Sequence, residues 1–312
     1  MSSTYVVIGS GPVGSTVAAQ LAAQGERVTV LTRSGGGPEH PLIERRAVDA
    51  NDGARLAEAF DGATAVFYAL NAPYFAKVWA AELPPAQRSV LDAAWSAAGA
   101  SAVVVFAENL YAYSRPDEPM TEDSPRDAVG GKRGVRTQLI REREAHAANT
   151  VTMAAGDFFG PLVLNSHVGD RMVPRILARK GVQVIGSADQ PHSFTYVPDM
   201  AAAMVAAARH RELWNRVLHA PTLPAFTQRE MARAFATAAG LPEPRVSAIP
   251  GWVVRLVGVG APLMRSVSEM LYQFDRPFVM DSAETQRLLG MEPTPLPVAA
   301  AATIEWWRSR GV

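Results

Sequence analysis

Residues 9–14 read Gly9-Ser10-Gly11-Pro12-Val13-Gly14. An apolar run, Tyr5-Val6-Val7-Ile8, leads into them, and a segment with apolar residues at Val13, Val17, Ala18 and Leu21 follows. The run predicts a buried strand and the spacing a helix, which Gly25 stops. G-x-G-x-x-G between a strand and a helix has a physical reading. Gly9 permits a tight turn, Gly11 lets a pyrophosphate approach the backbone, and Gly14 lets helix and strand pack closely. The helix N-terminus then offers N–H groups and partial positive charge to phosphates. The whole loop, with Ser10, Pro12 and Val13 between the glycines, is expected to hold a dinucleotide.

Outward from this loop the chain alternates. Strands are expected at Arg27–Thr32, Glu44–Val48, Thr64–Leu70, Ala102–Phe106 and Val151–Ala155, with helices at Asp52–Phe60, 75–98 and 131–148. Pro84-Pro85 is expected to break the second of these helices. Such alternation implies βαβ units and a doubly wound parallel Rossmann sheet of the α/β class, covered on both faces. Past residue 160 the pattern loosens. Strands are expected at Val182–Ile185 and Phe194–Val197, and helices at Asp199–Arg209 and Thr227–Ala239, with Thr227 and Glu230 forming a capping box. We therefore expect a dinucleotide-binding domain over 1–160, to which 182–220 returns. A smaller, mainly helical substrate-binding lobe takes 161–181 and 221–312. Its sequence is made apolar by Trp252, Met264, Met270, Tyr272 and Phe274, which suits core and an apolar small-molecule pocket.

Composition narrows the function. The 312 residues carry 30 basic and 30 acidic side chains, so the formal charge is zero. That leaves no electrostatic footprint for nucleic acid or an anionic membrane. Cysteine is absent, which excludes disulfides, thiolate metal sites and a cysteine nucleophile. The start has no basic leader, and no apolar stretch approaches the ~20 residues of a membrane span. A cytoplasmic protein is expected, with the possibility of a homo-oligomer left open. Six histidines lack metal spacing and are expected on the surface or in loops, so no metal is expected; His167 alone is a candidate for a substrate mouth. There is neither G-x-S-x-G nor a P-loop G-K-[ST].

The end of the second strand bears on which dinucleotide is held. An NAD site places Asp or Glu there for the ribose hydroxyls, whereas this chain has Thr32, Arg33 and Ser34. No carboxylate repels a 2′-phosphate and Arg33 can clamp one, so NADP(H) is preferred, with NAD(H) the alternative.

Several further segments carry a resemblance. Asp49 and Ala50 follow the third strand. Leu70-Asn71-Ala72 end the fourth. Ala112-Tyr113-Ser114-Arg115-Pro116 is similar to V-Y-G-x-P, and Met120-Thr-Glu-Asp-Ser-Pro125 to M-T-E-x-x-P. Asp157-Phe-Phe-Gly160-Pro161 is similar to N-x-Y-G-P, and Phe194-Thr-Tyr-Val-Pro-Asp199-Met-Ala to F-x-x-V-x-D-V-A. In order and spacing the chain resembles the extended short-chain dehydrogenase/reductase superfamily, in its NAD-dependent epimerase/dehydratase and NmrA-like branch. The resemblance implies that Asp49 and Ala50 contact the adenine and that Leu70, Asn71 and Ala72 line the cofactor. Tyr196 and Asp199 are expected to fix strand-to-helix geometry, with Asp199 capping the helix.

That superfamily works through Y-x-x-x-K on the helix after the fifth strand, where the lysine tunes the tyrosine as a general acid/base. The chain has only three lysines, Lys77, Lys132 and Lys180, and four residues before them stand Pro73, Ala128 and Ile176. The motif is absent. By register Lys132 falls near the tyrosine's place and Arg136 near the lysine's. At i, i+4 the two cations share a helix face, an arrangement that favours an anion between them and lowers a lysine pKa. The alternative is a solvated basic face, with Glu142 and Glu144 nearby. The family's Ser/Thr would correspond to Asn109, which donates a hydrogen bond but shuttles no proton. Tyr111, Tyr113 and Glu108 are further candidates for proton transfer.

The leading expectation is an NADP(H)-dependent oxidoreductase acting on a small organic carbonyl or alcohol with a non-standard proton donor: Lys132, Asn109, Tyr111 or Tyr113. The alternatives are a non-redox epimerase, isomerase or lyase on the same scaffold, and a non-catalytic NmrA-like NADP(H) sensor.

Overall fold

The computed structural model describes residues 4–311. The chain divides into two compact units, of which the first comprises Met1–Ala112, Arg126–Ala154 and Met200–Ala220. Its strands are β1 (Thr4–Ile8), β2 (Arg27–Thr32), β3 (Ile43–Ala47), β4 (Ala63–Tyr68), β5 (Val103–Asn109) and β6 (Asn149–Ala155). A seventh, Arg216–His219, completes the sheet. Its spatial order is Arg216–His219, β6, β5, β4, β1, β2, β3, with parallel registers such as Val6 opposite Thr29 and Val66. The order reverses at β1, so the crevice beyond the C-terminal ends of β1 and β4 is the point where such sheets take their ligands.

The central strands β1, β2, β4 and β5 are almost continuously buried. That pattern belongs to parallel strands covered on both faces. By contrast β3, Ile-Glu-Arg-Arg-Ala, is largely exposed, and its charges mark it as an edge. The helices α1 (Pro12–Ala23), α2 (Gly53–Phe60), α3 (Ala76–Ala98) and α4 (Gly131–Ala145) lie between the strands in sequence. Leu31, Leu56, Phe60, Val66, Val90, Leu91 and Phe106 form one core cluster. Each such buried side chain contributes roughly 1.5–3 kcal/mol relative to exposure.

One expectation fails here. Pro84 and Pro85 lie inside a single uninterrupted α3 of 23 residues. Two prolines remove two backbone donors, yet Trp79 and Leu83 before them and Val90 and Leu91 after them are all buried. Packing on both sides of the pair outweighs the local cost.

The second unit comprises Tyr113–Pro125, Ala155–Asp199 and Pro221–Val312. Segment 182–199 therefore falls here, while Met200–Ala220 belongs to the first unit. Val182–Ile185 pairs with Val246–Ile249, and Asp157–Phe159 with Phe194–Tyr196, instead of joining the large sheet. Helices Gln228–Ala238 and Leu296–Ser309 bury Phe235, Ile304 and Trp307 in this unit's core. Thr227 caps the first of them through the full capping box with Glu230. Met270 and Phe274 are buried as expected, but Trp252 is 66% exposed. The two residues after Pro250 already start a short helix, Gly251–Gly258, and only Gly251, Val254 and Gly258 on it are buried.

Candidate active site

The glycine loop has the geometry its spacing requires. Gly9 adopts φ +96°, and a Cβ there would press on the Ala69 carbonyl; a Cβ at Gly14 would run into the Gly9 carbonyl oxygen. These two glycines are demanded by the fold. Gly11 is different, because a Cβ on it would meet nothing within 4 Å. Packing does not require a glycine at that point. A phosphate drawn against the backbone does, so the loop fits a dinucleotide. Gly11 also serves as the N-cap of α1 without a side-chain cap, Pro12 occupies the first turn, and no acidic residue stands there. The N–H groups of that turn are thus left to an anion. Ser10 contributes its carbonyl oxygen to the Ser15 hydroxyl, at 2.9 Å, and Val13 is buried.

At the end of β2, Arg33 and Ser34 are exposed and Thr32 turns back through its hydroxyl to the Gly36 carbonyl, at 2.9 Å. Asp49 is exposed and Ala50 buried. Asp49 accepts the backbone and side-chain N–H of Asn51, at 2.8 and 2.9 Å. These bonds, and to a lesser degree Arg33, hold its carboxyl below the usual carboxylate range.

The second cluster gathers at the C-terminal ends of β4 and β5 and the start of α4. Lys132 and Arg136 are 0% and 5% exposed, so the basic helix face is not solvated. Arg136 Nη1 lies 3.1 Å from Glu108, its Nη2 donates to Asn71 Oδ1 at 3.1 Å, and its guanidinium covers the Trp79 ring at 4.4 Å. Its Nε is buried with no hydrogen-bond partner. The other Glu108 oxygen takes Arg143, at 2.8 Å. Glu108 is therefore clamped between two guanidiniums and is a structural anion instead of the base its position suggested. The anion expected beside Arg136 is supplied by the chain itself.

Lys132 sits with Nζ 4.2 Å from the centre of the Tyr74 ring. The Tyr74 and Tyr111 hydroxyls are 2.9 Å apart, and Tyr111 stacks on Trp79 at 6.1 Å between ring centres. Asn109 Oδ1 accepts the Tyr111 N–H at 3.0 Å, and Arg133 Nε donates to the Tyr111 carbonyl at 3.3 Å. Asn109 thus spends its carbonyl on holding the loop and keeps its amide N–H₂ available as a donor. Leu70 is half-buried, and the Ala72 carbonyl accepts the Trp79 indole N–H at 3.2 Å. Tyr113 falls in the second unit and is 1% exposed. Tyr68, on β4, is a neutral phenol: burial pushes it up to about 12, and its hydroxyl has no partner.

Tyr74 and Trp79 were not singled out by the sequence. The available signal was three aromatics, Tyr74, Phe75 and Trp79, within eight residues of the fourth strand's Asn71. His192 was also misjudged, since it and His219 are buried at 2% and 0%. His192, in the second unit, places Nε2 3.1 Å from Asp157 and Nδ1 3.0 Å from the Gln273 carbonyl, and stacks on Phe274 at 4.9 Å. His167 packs on the same Phe274 ring at 4.2 Å. Asp199 gives both carboxylate oxygens to Thr294, at 2.7 and 2.6 Å, tying two segments of its unit together where a helix cap was expected.

Among the described residues no helix is long and apolar enough to cross a membrane, and no group of three or more His, Asp or Glu side chains could hold a metal ion. The sheet order, the glycine turn and the open Gly11 define a dinucleotide-binding Rossmann fold. The sequence profile of the NAD dependent epimerase/dehydratase family matches residues 5–217, and the chain belongs to that family. Among solved structures, the fold is similar to that of the enzyme WbmH of Bordetella bronchiseptica in complex with NAD+. The two have 18% identity and a TM-score of 0.78, with 100% of each chain covered. It is similar also to UDP-glucose 4-epimerase of Thermotoga maritima with UDP-glucose, at 15% identity and TM-score 0.77, covering 99% of this chain and 100% of that one. A third is dTDP-glucose 4,6-dehydratase of Bacillus anthracis in complex with NAD, at 12% and 0.77, covering 99% and 97%. A comparison with curated protein sequences gave no match.

Proposed function

We propose that the chain is an NADP(H)-dependent oxidoreductase acting on a small organic carbonyl or alcohol, with a proton donor other than the family's tyrosine–lysine pair. The observation that supports it most is Gly11, a glycine the packing does not need, at the mouth of a helix whose first turn carries no acid. Gly9 to Gly14 would hold the pyrophosphate and Asp49 and Ala50 would border the adenine. Arg33 and Ser34, exposed at the end of β2 with no carboxylate among Thr32-Arg33-Ser34, suit a 2′-phosphate. Leu70, Asn71 and Ala72, beyond β4, would line the nicotinamide half. Bound there, the nicotinamide supplies or accepts the hydride. The chain's own residues orient the substrate, exclude water and manage the proton.

Family membership favours a second reading, in which the cofactor is reduced and reoxidised within one turnover and the net reaction is an epimerisation or dehydration. The test has two arms. Calorimetric titration with NADP and NAD is expected to give tighter binding of NADP; equal affinities overturn the NADP preference. Incubating NADPH with a panel of small aldehydes and ketones is expected to consume it. A substrate converted with cofactor absorbance unchanged replaces the first reading by the second.

A further inference from the structure

The absent Y-x-x-x-K has a counterpart built from three separate segments. Tyr74 follows β4, Tyr111 follows β5, and Lys132 lies in the first turn of α4. The two hydroxyls are 2.9 Å apart and the ammonium stands 4.2 Å over the Tyr74 ring. Trp79 packs against both rings, stacked on Tyr111 and edge-on to Tyr74 at 5.5 Å. The Tyr111 backbone is pinned at its N–H by Asn109 and at its carbonyl by Arg133. Both phenols are half-buried, so solvent reaches the pair, whereas Lys132 is fully buried.

We propose that Tyr111 is the catalytic acid/base of this enzyme and that Tyr74 and Lys132 are its positioning residues. The proposal rests on the cofactor reading above. When one phenol loses its proton, the neighbouring hydroxyl donates a hydrogen bond to the phenolate, and a buried cation on the Tyr74 face favours the negative charge. These are the two aids that a lysine gives a tyrosine one helical turn away, here delivered through a second phenol. In reduction, the Tyr111 O–H bond breaks and its proton passes to the substrate carbonyl oxygen, while the carbonyl carbon receives the hydride that reduced nicotinamide supplies. The electron pair stays on the Tyr111 oxygen, where the Tyr74 hydroxyl donates a hydrogen bond to the phenolate until solvent returns the proton to Tyr111. Oxidation of the alcohol runs the same steps backwards. Tyr111 holds the donor position because its loop leaves the sheet at the C-terminal end of β5 and is fixed on both sides.

The test uses Tyr111→Phe, Tyr74→Phe and Lys132→Met in the full chain. Spectrophotometric titration of phenolate absorbance needs no cofactor or substrate. Of the seven tyrosines, one is expected to ionise ahead of the others, to vanish in Tyr111→Phe and to ionise later in Tyr74→Phe and Lys132→Met. In turnover, Tyr111→Phe is expected to lower kcat about 10²–10⁴-fold with NADPH affinity unchanged. Tyr74→Phe is expected to lower it less and to move the pH profile. No early-ionising tyrosine in the wild type, a larger loss in Tyr74→Phe than in Tyr111→Phe, or full turnover by Tyr111→Phe each overturns the proposal. If Tyr111→Phe fails to fold, the titrations of the other two variants decide. Absence of NADPH binding in the wild type would instead sink the cofactor reading and leave the titration result standing.

Discussion

Arg136 Nη1 stands 3.1 Å from Glu108 Oε1, with the two side chains 6% and 0% exposed. Glu108 takes Arg143 on its other oxygen, and that guanidinium lies over Phe106 at 4.1 Å. Glu108→Gln would leave two buried guanidiniums facing a neutral amide. Breaking a buried ion pair at one partner costs on the order of 3–5 kcal/mol. The expected outcome is a lower urea midpoint at unchanged slope. A loss of turnover without a loss of stability would return Glu108 to the list of candidate bases.

The glycine loop separates fold from ligand. Gly14→Ala drives a methyl into the Gly9 carbonyl, and Gly9→Ala combines a contact on Ala69 with a positive φ, so both variants should lose stability. Gly11→Ala meets open space and should melt within a degree or two of the wild type. It should nevertheless bind NADP at least ~10-fold more weakly, because the added methyl occupies the approach of the pyrophosphate. Thermal melts with and without NADP check both halves. Unchanged NADP affinity in Gly11→Ala would argue that the loop is a structural turn alone.

Arg33→Ala tests the choice between the two dinucleotides. Arg33 is exposed beside Asp49, so its charge is screened and partly answered. A charge-assisted contact to a 2′-phosphate at such a site is worth about tenfold in affinity. NADP binding should fall by that factor and NAD binding should stay as it was, by calorimetric titration at constant ionic strength. Equal losses for both would mean that Arg33 acts on the loop's conformation.

The sheet was legible in the sequence because its strands announce themselves twice, as β-branched apolar runs and by the helical spacing between them. Gly9, Gly11 and Gly14 were legible for the same reason, a short motif whose parts are adjacent in the chain. The cluster around Lys132 was not. Tyr74, Tyr111 and Lys132 come from segments separated by 37 and 21 positions, and only the parallel order β1, β4, β5 brings those loops together. Arg136 was singled out by its helical spacing from Lys132, but its pairing was not legible, since nothing local ties it to Glu108. Helix α3 shows the reverse error, in which the local rule for Pro84-Pro85 was sound and the packing overrode it.

His167 makes stability depend on pH. Burial, opposed by Asp157 and reinforced by Arg171 and His192, lowers its imidazole from an ordinary 6.5 to about 4. The folded chain therefore binds its proton less readily than the unfolded chain does. Above pH 6.5 neither state is protonated at this group and it costs nothing. Between about 6.5 and 4 the unfolded state gains a proton that the folded state refuses, so stability falls as the pH falls through that window. Asp157 acts in the same direction at lower pH: against the cost of burial, His192 holds its carboxyl below the ordinary carboxylate value, so it contributes stability above that value and loses it as the pH falls further. His167→Leu keeps a side chain against Phe274 and removes the titration. Its urea midpoint should change less between pH 7.5 and 5 than that of the wild type, by an amount equivalent to about 1–2 kcal/mol. Parallel loss in the two proteins would place the acid sensitivity on other groups.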